Sequence, residues 1–252
     1  MMRNSILLLT LSALVWPLTP ATAKDFWIKD KTSGCQIWSD EAAKANDVVT
    51  WSGKCKDNKA SGEGKLTWTQ DGKPAGTYVG FMKDGKLNGP GTLRLVVKGG
   101  TNELIGIFKD GDIENGGLFK DAAGNIYEGD IKDGKPHGAG YQKIGEVEYA
   151  GNFENGLRKG PGLLLGPNTA YLGEFDNDVA SGSGTLEDET GGRYHGQFKN
   201  GKPHGFGTYV TKDGAVYQGR FVNGKAQGAM LVTAKGAGKS VVETWKDGKK
   251  VK

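Results

Sequence analysis

The sequence predicts an all-β protein built from tandem β-hairpins, and three observations predict it. The line Tyr-His-Gly-Gln-Phe-Lys-Asn-Gly-Lys-Pro-His-Gly-Phe-Gly-Thr-Tyr at residues 194–209 recurs almost unchanged at residues 127–141. Within that line large apolar residues alternate with polar ones, the period of a half-buried strand. Finally, 28 of the 43 glycines fall at only four positions of the repeated line. A recurrence at this spacing points to a repeat architecture.

Eight copies begin at Trp51, Tyr78, Leu104, Tyr127, Tyr149, Tyr171, Tyr194 and Tyr217, stepping by 22 to 27 residues. Offsets are counted from that first residue. Offset 2 is glycine in every copy. Offset 4 holds Cys55, Met82, Phe108, Ile131, Phe153, Phe175, Phe198 and Phe221. Offsets 0–4 therefore read as a strand. Offset 7 is glycine in six copies and Asn58 or Asp178 in the other two, the side chains that best tolerate positive φ, so it reads as a left-handed turn position. Offsets 11 and 13 form a Gly-x-Gly pair, as in Gly205/Gly207, and offset 15 is again mostly apolar: a second strand. A strand glycine costs about 0.5–1 kcal/mol relative to alanine. By parity, offsets 2, 11 and 13 share a side with the large residues. The expectation is that each bare backbone position makes room for a ring from the neighbouring hairpin.

The pattern Tyr-x-Gly-x-Phe-x-x-Gly-x-x-His-Gly-x-Gly resembles the MORN repeat, over residues 51–233. Leu104, Asn115, Asp178 and Met230 depart from it. The resemblance implies an elongated single-layer antiparallel sheet and a binding or scaffolding role. It also implies a structural repeat core of Trp51, Tyr78, Tyr127, Tyr149, Tyr171, Tyr194 and Tyr217 with Phe108, Phe153, Phe175, Phe198 and Phe221.

In chain order, residues 1–23 read as a secretory signal: Arg3, an apolar run over residues 6–16, then Ala21-Thr22-Ala23 as a cleavage site. Cleavage would leave 229 residues of net charge +3, because Arg3 is the only charge lost from a total of +4. This places the protein outside the cytoplasm, in the periplasm or beyond. Residues 24–50 are expected to cap the first hairpin, with a short helix near residues 39–45. Cys35 and Cys55 are the only cysteines. An even count in an exported chain predicts a disulfide, with Cys55 directed into the apolar side. Residues 51–233 hold the eight copies. Residues 234–252 contain a degenerate ninth copy near Val241, with Trp245 and Gly248, and a basic tail. The longer connections at residues 70–77 and 96–103 read as surface loops.

The residues at offsets facing away from the rings are mostly polar. They turn apolar at Val79, Phe81, Ile105, Ile107, Leu118, Tyr141, Leu163 and Leu165. That is a candidate partner patch, unless residues 24–50 or 96–103 fold over it. Exposure of Phe81 and Ile107 decides between the two. Turn lysines such as Lys83, Lys86, Lys132 and Lys135 offer a docking surface for anionic lipid. Exposed Tyr149, Tyr171 and Tyr194 would offer a glycan a stacking surface.

Catalytic chemistry is expected to be absent. His137 and His204 share offset 10, so the repeat accounts for them, and His195 has no partner at zinc-like spacing. Gly238-Lys239-Ser240 lacks the earlier glycine of a phosphate loop, because Thr233 stands there. Asp176-Asn177-Asp178 lacks the later ligands of a calcium loop. The sequence thus predicts no metal, no cofactor and no nucleic-acid partner. The expected roles are protein binding or self-association, with lipid or glycan binding as the alternatives.

Overall fold

The computed structural model describes residues 26–39 and 46–251, and these contain 21 strands and no helix. They fall into two compact units, one within residues 15–145 and one within residues 146–252. The first holds β1 (Phe26–Lys29), β2 (Gln36–Ser39), β3 (Val48–Trp51), β4 (Lys54–Lys56), β5 (Lys59–Gln70), β6 (Lys73–Lys83), β7 (Lys86–Val97), β8 (Gly100–Lys109), β9 (Asp112–Lys120), β10 (Ile126–Lys132) and β11 (Lys135–Ile144). The second holds β12 (Val147–Glu154), β13 (Leu157–Gly166), β14 (Thr169–Asp176), β15 (Val179–Glu187), β16 (Arg193–Lys199), β17 (Lys202–Val210), β18 (Val216–Val222), β19 (Lys225–Thr233), β20 (Val241–Lys246) and β21 (Lys249–Lys250). From β5 onward, strands within each unit pair antiparallel with their chain neighbours, and among the described residues the sheet does not close on itself.

Each copy is one hairpin, and its turn is set by two residues rather than one. In the seventh copy Asn200 has φ 52° and Gly201 has φ 73°. Two successive positive φ values define the type I′ turn, whose twist matches that of the flanking strands. Offset 6 is Asp or Asn in every copy, which supplies the first of them at low cost. This position was legible in the sequence beside offset 7.

The two glycines of the Gly-x-Gly pair do different jobs, which corrects the expectation that both make room for rings. Gly205, at offset 11, has φ +79°, and the register between β16 and β17 slips beside it, between Gly196 and Phe198. It is one of the two extra residues of a β-bulge, required for its backbone conformation. In the third copy Asn115 takes this place with φ 61°. Offsets 2 and 13 are the ones that make space, and the ring belongs to the same hairpin, not to its neighbour. Cross-strand partners Gly196 and Gly207 lie beneath Tyr194, whose Oη is 2.6 Å from where a Gly196 Cβ would stand. The hydroxyl then donates to Gln197 O at the bulge (3.1 Å), a carbonyl the slipped register exposes. Tyr78, Tyr127, Tyr149 and Tyr171 make the same bond to the residue three positions on. Two strand glycines cost about 1–2 kcal/mol together. Burying a large ring returns about 1.5–3 kcal/mol, and its hydroxyl bond about 1 kcal/mol more. A single-layer sheet thereby makes its own core.

Neighbouring hairpins join through the rings. Tyr149 meets Phe153 of its own copy at 5.1 Å and Phe175 of the next at 5.2 Å, edge to face. The line continues through Tyr171, Phe198, Tyr194 and Phe221 with the same geometry. Each such pair adds about 0.5–1.5 kcal/mol. A backbone bond runs alongside: the offset-7 N–H donates to the offset-9 carbonyl of the preceding copy, as Gly201 N does to Ala180 O and Gly224 N to Pro203 O.

The departures from the pattern are compensated locally. With Leu104 in place of a ring, Ile113 Cδ1 fills the space over Gly106 and Gly117. In the eighth copy Met230 stands where glycine is usual, and its buried thioether lies over Gly219. Tyr217 is consequently only half-buried and turns its ring to Trp245, 5.7 Å away. Asp178 replaces the turn glycine of the sixth copy, and Arg158 of the fifth answers it: Nε donates to Oδ1 at 3.0 Å and a terminal nitrogen donates to Asp178 O at 2.9 Å. The guanidinium is buried between the Tyr149 and Phe175 rings.

At the N-terminal end, β1 and β2 form a hairpin lying across the turns of the first three copies. Gln36 N donates to Asn58 O, Trp38 N donates to Gly85 O, and the Trp38 ring lies against Gly111. Lys59 and Lys86 hold their ammonium groups 4.6 and 4.9 Å from the Trp27 and Trp38 rings. The buried Asp30 carboxylate accepts from Trp51 N at 2.9 Å, tying this hairpin to β3. Cys35 and Cys55 are bonded. Cys35 is buried, but Cys55 is exposed, contrary to the expectation for an offset-4 residue: the first hairpin has no preceding ring to cover it. The helix expected near residues 39–45 falls mainly on residues 40–45, outside the described residues, and Ser39 ends β2. The signal segment also lies outside them.

Candidate functional site

The two sides of the sheet are chemically unlike. The ring side is closed by its own aromatics: Tyr78, Tyr127, Tyr149, Tyr171 and Tyr194 are all buried. Burial pushes the hydroxyls of Tyr78, Tyr149 and Tyr194 up to about 12. Tyr149, Tyr171 and Tyr194 therefore give a glycan nothing to stack on, which corrects that expectation. The exposed aromatic of the second unit is one the pattern did not single out, Phe206 at 73 % exposure, paired across the strands with Arg220. Offset 12 follows the bulge glycine and faces away from the rings, so the template itself carried the signal.

On the opposite side, in the first unit, Phe81 is 45 % and Ile107 is 55 % exposed, and Val79 and Ile105 are exposed beside them. Neither the N-terminal hairpin nor residues 96–103 cover them. The extra residues at 70–77 and 96–103 do not form loops: they lengthen β5–β6 and β7–β8 into longer hairpins, with turns at Asp71-Gly72 and Lys98-Gly99. Exposed Val96 extends the apolar surface along β7.

Cross-strand register aligns these residues. Val79 lies opposite Thr92, Thr92 opposite Ile105, and Ile105 opposite Leu118. Pro90 lies opposite Ile107 on the adjoining line. Leu118 and Tyr141 are half-buried, so they edge the surface rather than form its centre. Leu163 and Leu165 belong to the second unit, where Leu163 pairs with Ala150 and Leu172. Of the eight residues that the sequence grouped as one patch, six lie in the first unit and two, Leu163 and Leu165, in the second.

Charge concentrates at the hairpin ends. Lys83 lies opposite Lys86 and Lys132 opposite Lys135. Like charges facing each other across a hairpin are destabilising. Among the described ion pairs none of these four is neutralised, although Lys86 rests on Trp38.

A tandem array of I′-turned, bulged hairpins with self-packed rings defines a β-repeat protein whose exposed surface is the opposite side of the sheet. The family model described as MORN repeat matches residues 52–73, 78–96, 127–142, 149–169, 171–193, 194–216 and 217–229, and the chain belongs to that family. The third copy lies outside the match, yet β8 and β9 form its hairpin. The chain is also similar to Alsin of Homo sapiens and of Pan troglodytes, each 31 % identical over 101 residues, 39 % of this chain. The matched segment spans about 6 % of the length of those relatives.

Proposed function

We propose that this is an exported, non-enzymatic binding or scaffold protein that engages a protein partner through the apolar side of its first unit. The observation that carries this is the exposure of Phe81 and Ile107 beside Val79 and Ile105 on the side of the sheet away from the rings. Contiguous exposed apolar surface of this kind marks interaction sites. The family and the partial likeness to Alsin fit a repeat-built binding role. Export is supported by the signal-like residues 1–23 and by the Cys35–Cys55 bond, which persists in oxidising compartments. A non-enzymatic role is supported by the use of the tyrosine hydroxyls as structural donors and by the shared repeat position of His137 and His204.

The test is affinity capture from an extract of the producing cells, with wild type and a Phe81→Asp/Ile107→Asp variant. A protein retained by wild type and lost by the variant, at unchanged circular dichroism, supports the reading. Equal retention by both sinks it. The facing lysine pairs favour a second reading, peripheral attachment to anionic lipid. Sedimentation with phosphatidylserine-containing vesicles should then fall with rising salt and with Lys83→Glu/Lys132→Glu. Binding indifferent to both removes it.

A further inference from the structure

The exposed side of the first unit carries a charge order that matches its own reverse. Residues directly opposite one another on successive strands run Lys65, Val79, Thr92, Ile105, Leu118 and Glu128, from β5 to β10. Lys65 and Glu128 bracket a mostly apolar stretch, and beyond Glu128 the line runs on to half-buried Tyr141 on β11. Lys65 and Glu128 are both exposed, and neither has an ion-pair partner among the described residues. At the strand spacing of about 4.8 Å they stand about 24 Å apart.

Reverse this line about a twofold axis running parallel to the strands, midway between Thr92 and Ile105. Lys65 then meets Glu128 of a second copy, Val79 meets Leu118, and Thr92 meets Ile105. On one adjoining line Pro90 meets Ile107. On the other, Arg94 meets Glu103, which within one chain already form an ion pair at 2.5 Å. Across the axis those two pairs become a cluster of four alternating charges. Sheets packed face to face keep their strands within about 30°, which moves the ends of the line, about 12 Å from the axis, by about 6 Å at most, a distance the long Lys65 and Glu128 side chains span.

We propose that the apolar side of the first unit is a face-to-face homodimer interface, closed by reciprocal Lys65–Glu128 contacts between the two copies. The occupant is a second copy of this chain because two of the three charged lines, Lys65–Glu128 and Arg94–Glu103, complement their own reversal, which an unrelated partner surface gives no reason to expect. A twofold contact of this kind uses the same surface on both copies and is self-limiting. One juxtaposition is unfavourable: Glu63 faces Asp130 at the rim, where solvent screens it. Glu63→Lys should therefore tighten the dimer. The inference rests on the reading that this side binds protein and names the protein.

The experiment is sedimentation equilibrium of the intact chain. Wild type should be dimeric. Lys65→Glu alone and Glu128→Lys alone should each raise the dissociation constant about tenfold or more, since each change places like charges together twice per dimer. Lys65→Glu/Glu128→Lys in one chain should restore it. Lys65→Glu chains mixed with Glu128→Lys chains should form heterodimers although neither associates alone. Circular dichroism verifies the fold of each variant. A monomeric wild type overturns the inference, as does a dimer indifferent to the single reversals or one that neither the double variant nor the mixture restores. A monomeric wild type that still captures a protein in a manner dependent on Phe81 and Ile107 would leave the proposed function standing and this inference fallen.

Discussion

The two units solve the same packing problem with different side chains. In the second, Phe153, Tyr149, Phe175, Tyr171, Phe198, Tyr194 and Phe221 alternate in an unbroken edge-to-face line. In the first, Leu104, Ile113 and Met82 take part of that line, and the hairpins form all the same. Their opposite sides differ as well. The first gathers exposed Val79, Phe81, Ile105 and Ile107 on β6 and β8, either side of β7, while the second sets exposed Leu172 and Phe206 among polar Asn152, Glu174, Ser183 and Gln197. The ring side is constrained because each hairpin must bury something over its own glycines. The other side has no folding task, so its composition is free to serve binding.

The comparison breaks first, and most widely, at high pH. The ordinary tyrosine value of 10.0 is raised to about 12 for Tyr78, Tyr149 and Tyr194. The fold keeps these hydroxyls protonated after the unfolded chain has begun to lose its protons, so their contribution is whole below pH 10 and is lost as pH rises toward 12. Circular dichroism followed with tyrosinate absorbance should show unfolding and ionisation as one transition. Early ionisation within an intact fold would contradict the burial.

Gly207→Val should cost about 3 kcal/mol, because its side chain collides with the Tyr194 ring. Gly228→Ala meets nothing within 4 Å and strains only φ, +81°, for about 1 kcal/mol. Urea unfolding of the two variants separates the glycine that makes space from the glycine that turns the chain, and equal losses would erase the distinction. Arg158→Ala should cost about 2 kcal/mol, by leaving Asp178 in a left-handed turn without its cation. Adding Asp178→Gly should recover most of that, since the turn then has the residue used elsewhere, and a double-mutant cycle reads the coupling. Tyr194→Phe should likewise cost only about 1 kcal/mol, as Gln197 O loses its donor while the ring remains. A neutral result in thermal denaturation would show that water replaces the hydroxyl freely.

The chain's own spelling determined the eight repeat hairpins and the place of their turns, because period-two alternation and turn-forming Asp, Asn and Gly are local and recur in every copy, but not the longer strands that residues 70–77 and 96–103 build. It also determined that Cys35 and Cys55 would meet, and it placed Phe81 and Ile107 away from the rings by parity alone. Only the folded molecule decided which hairpin each ring covers, that offset 11 bends a strand, and that Ile113 and Met230 fill vacated berths. Arg158 reaching Asp178 belongs there too. Those outcomes turn on which atoms arrive within a few ångströms of one another across strands about twenty residues apart, and offset counting carries no measure of that.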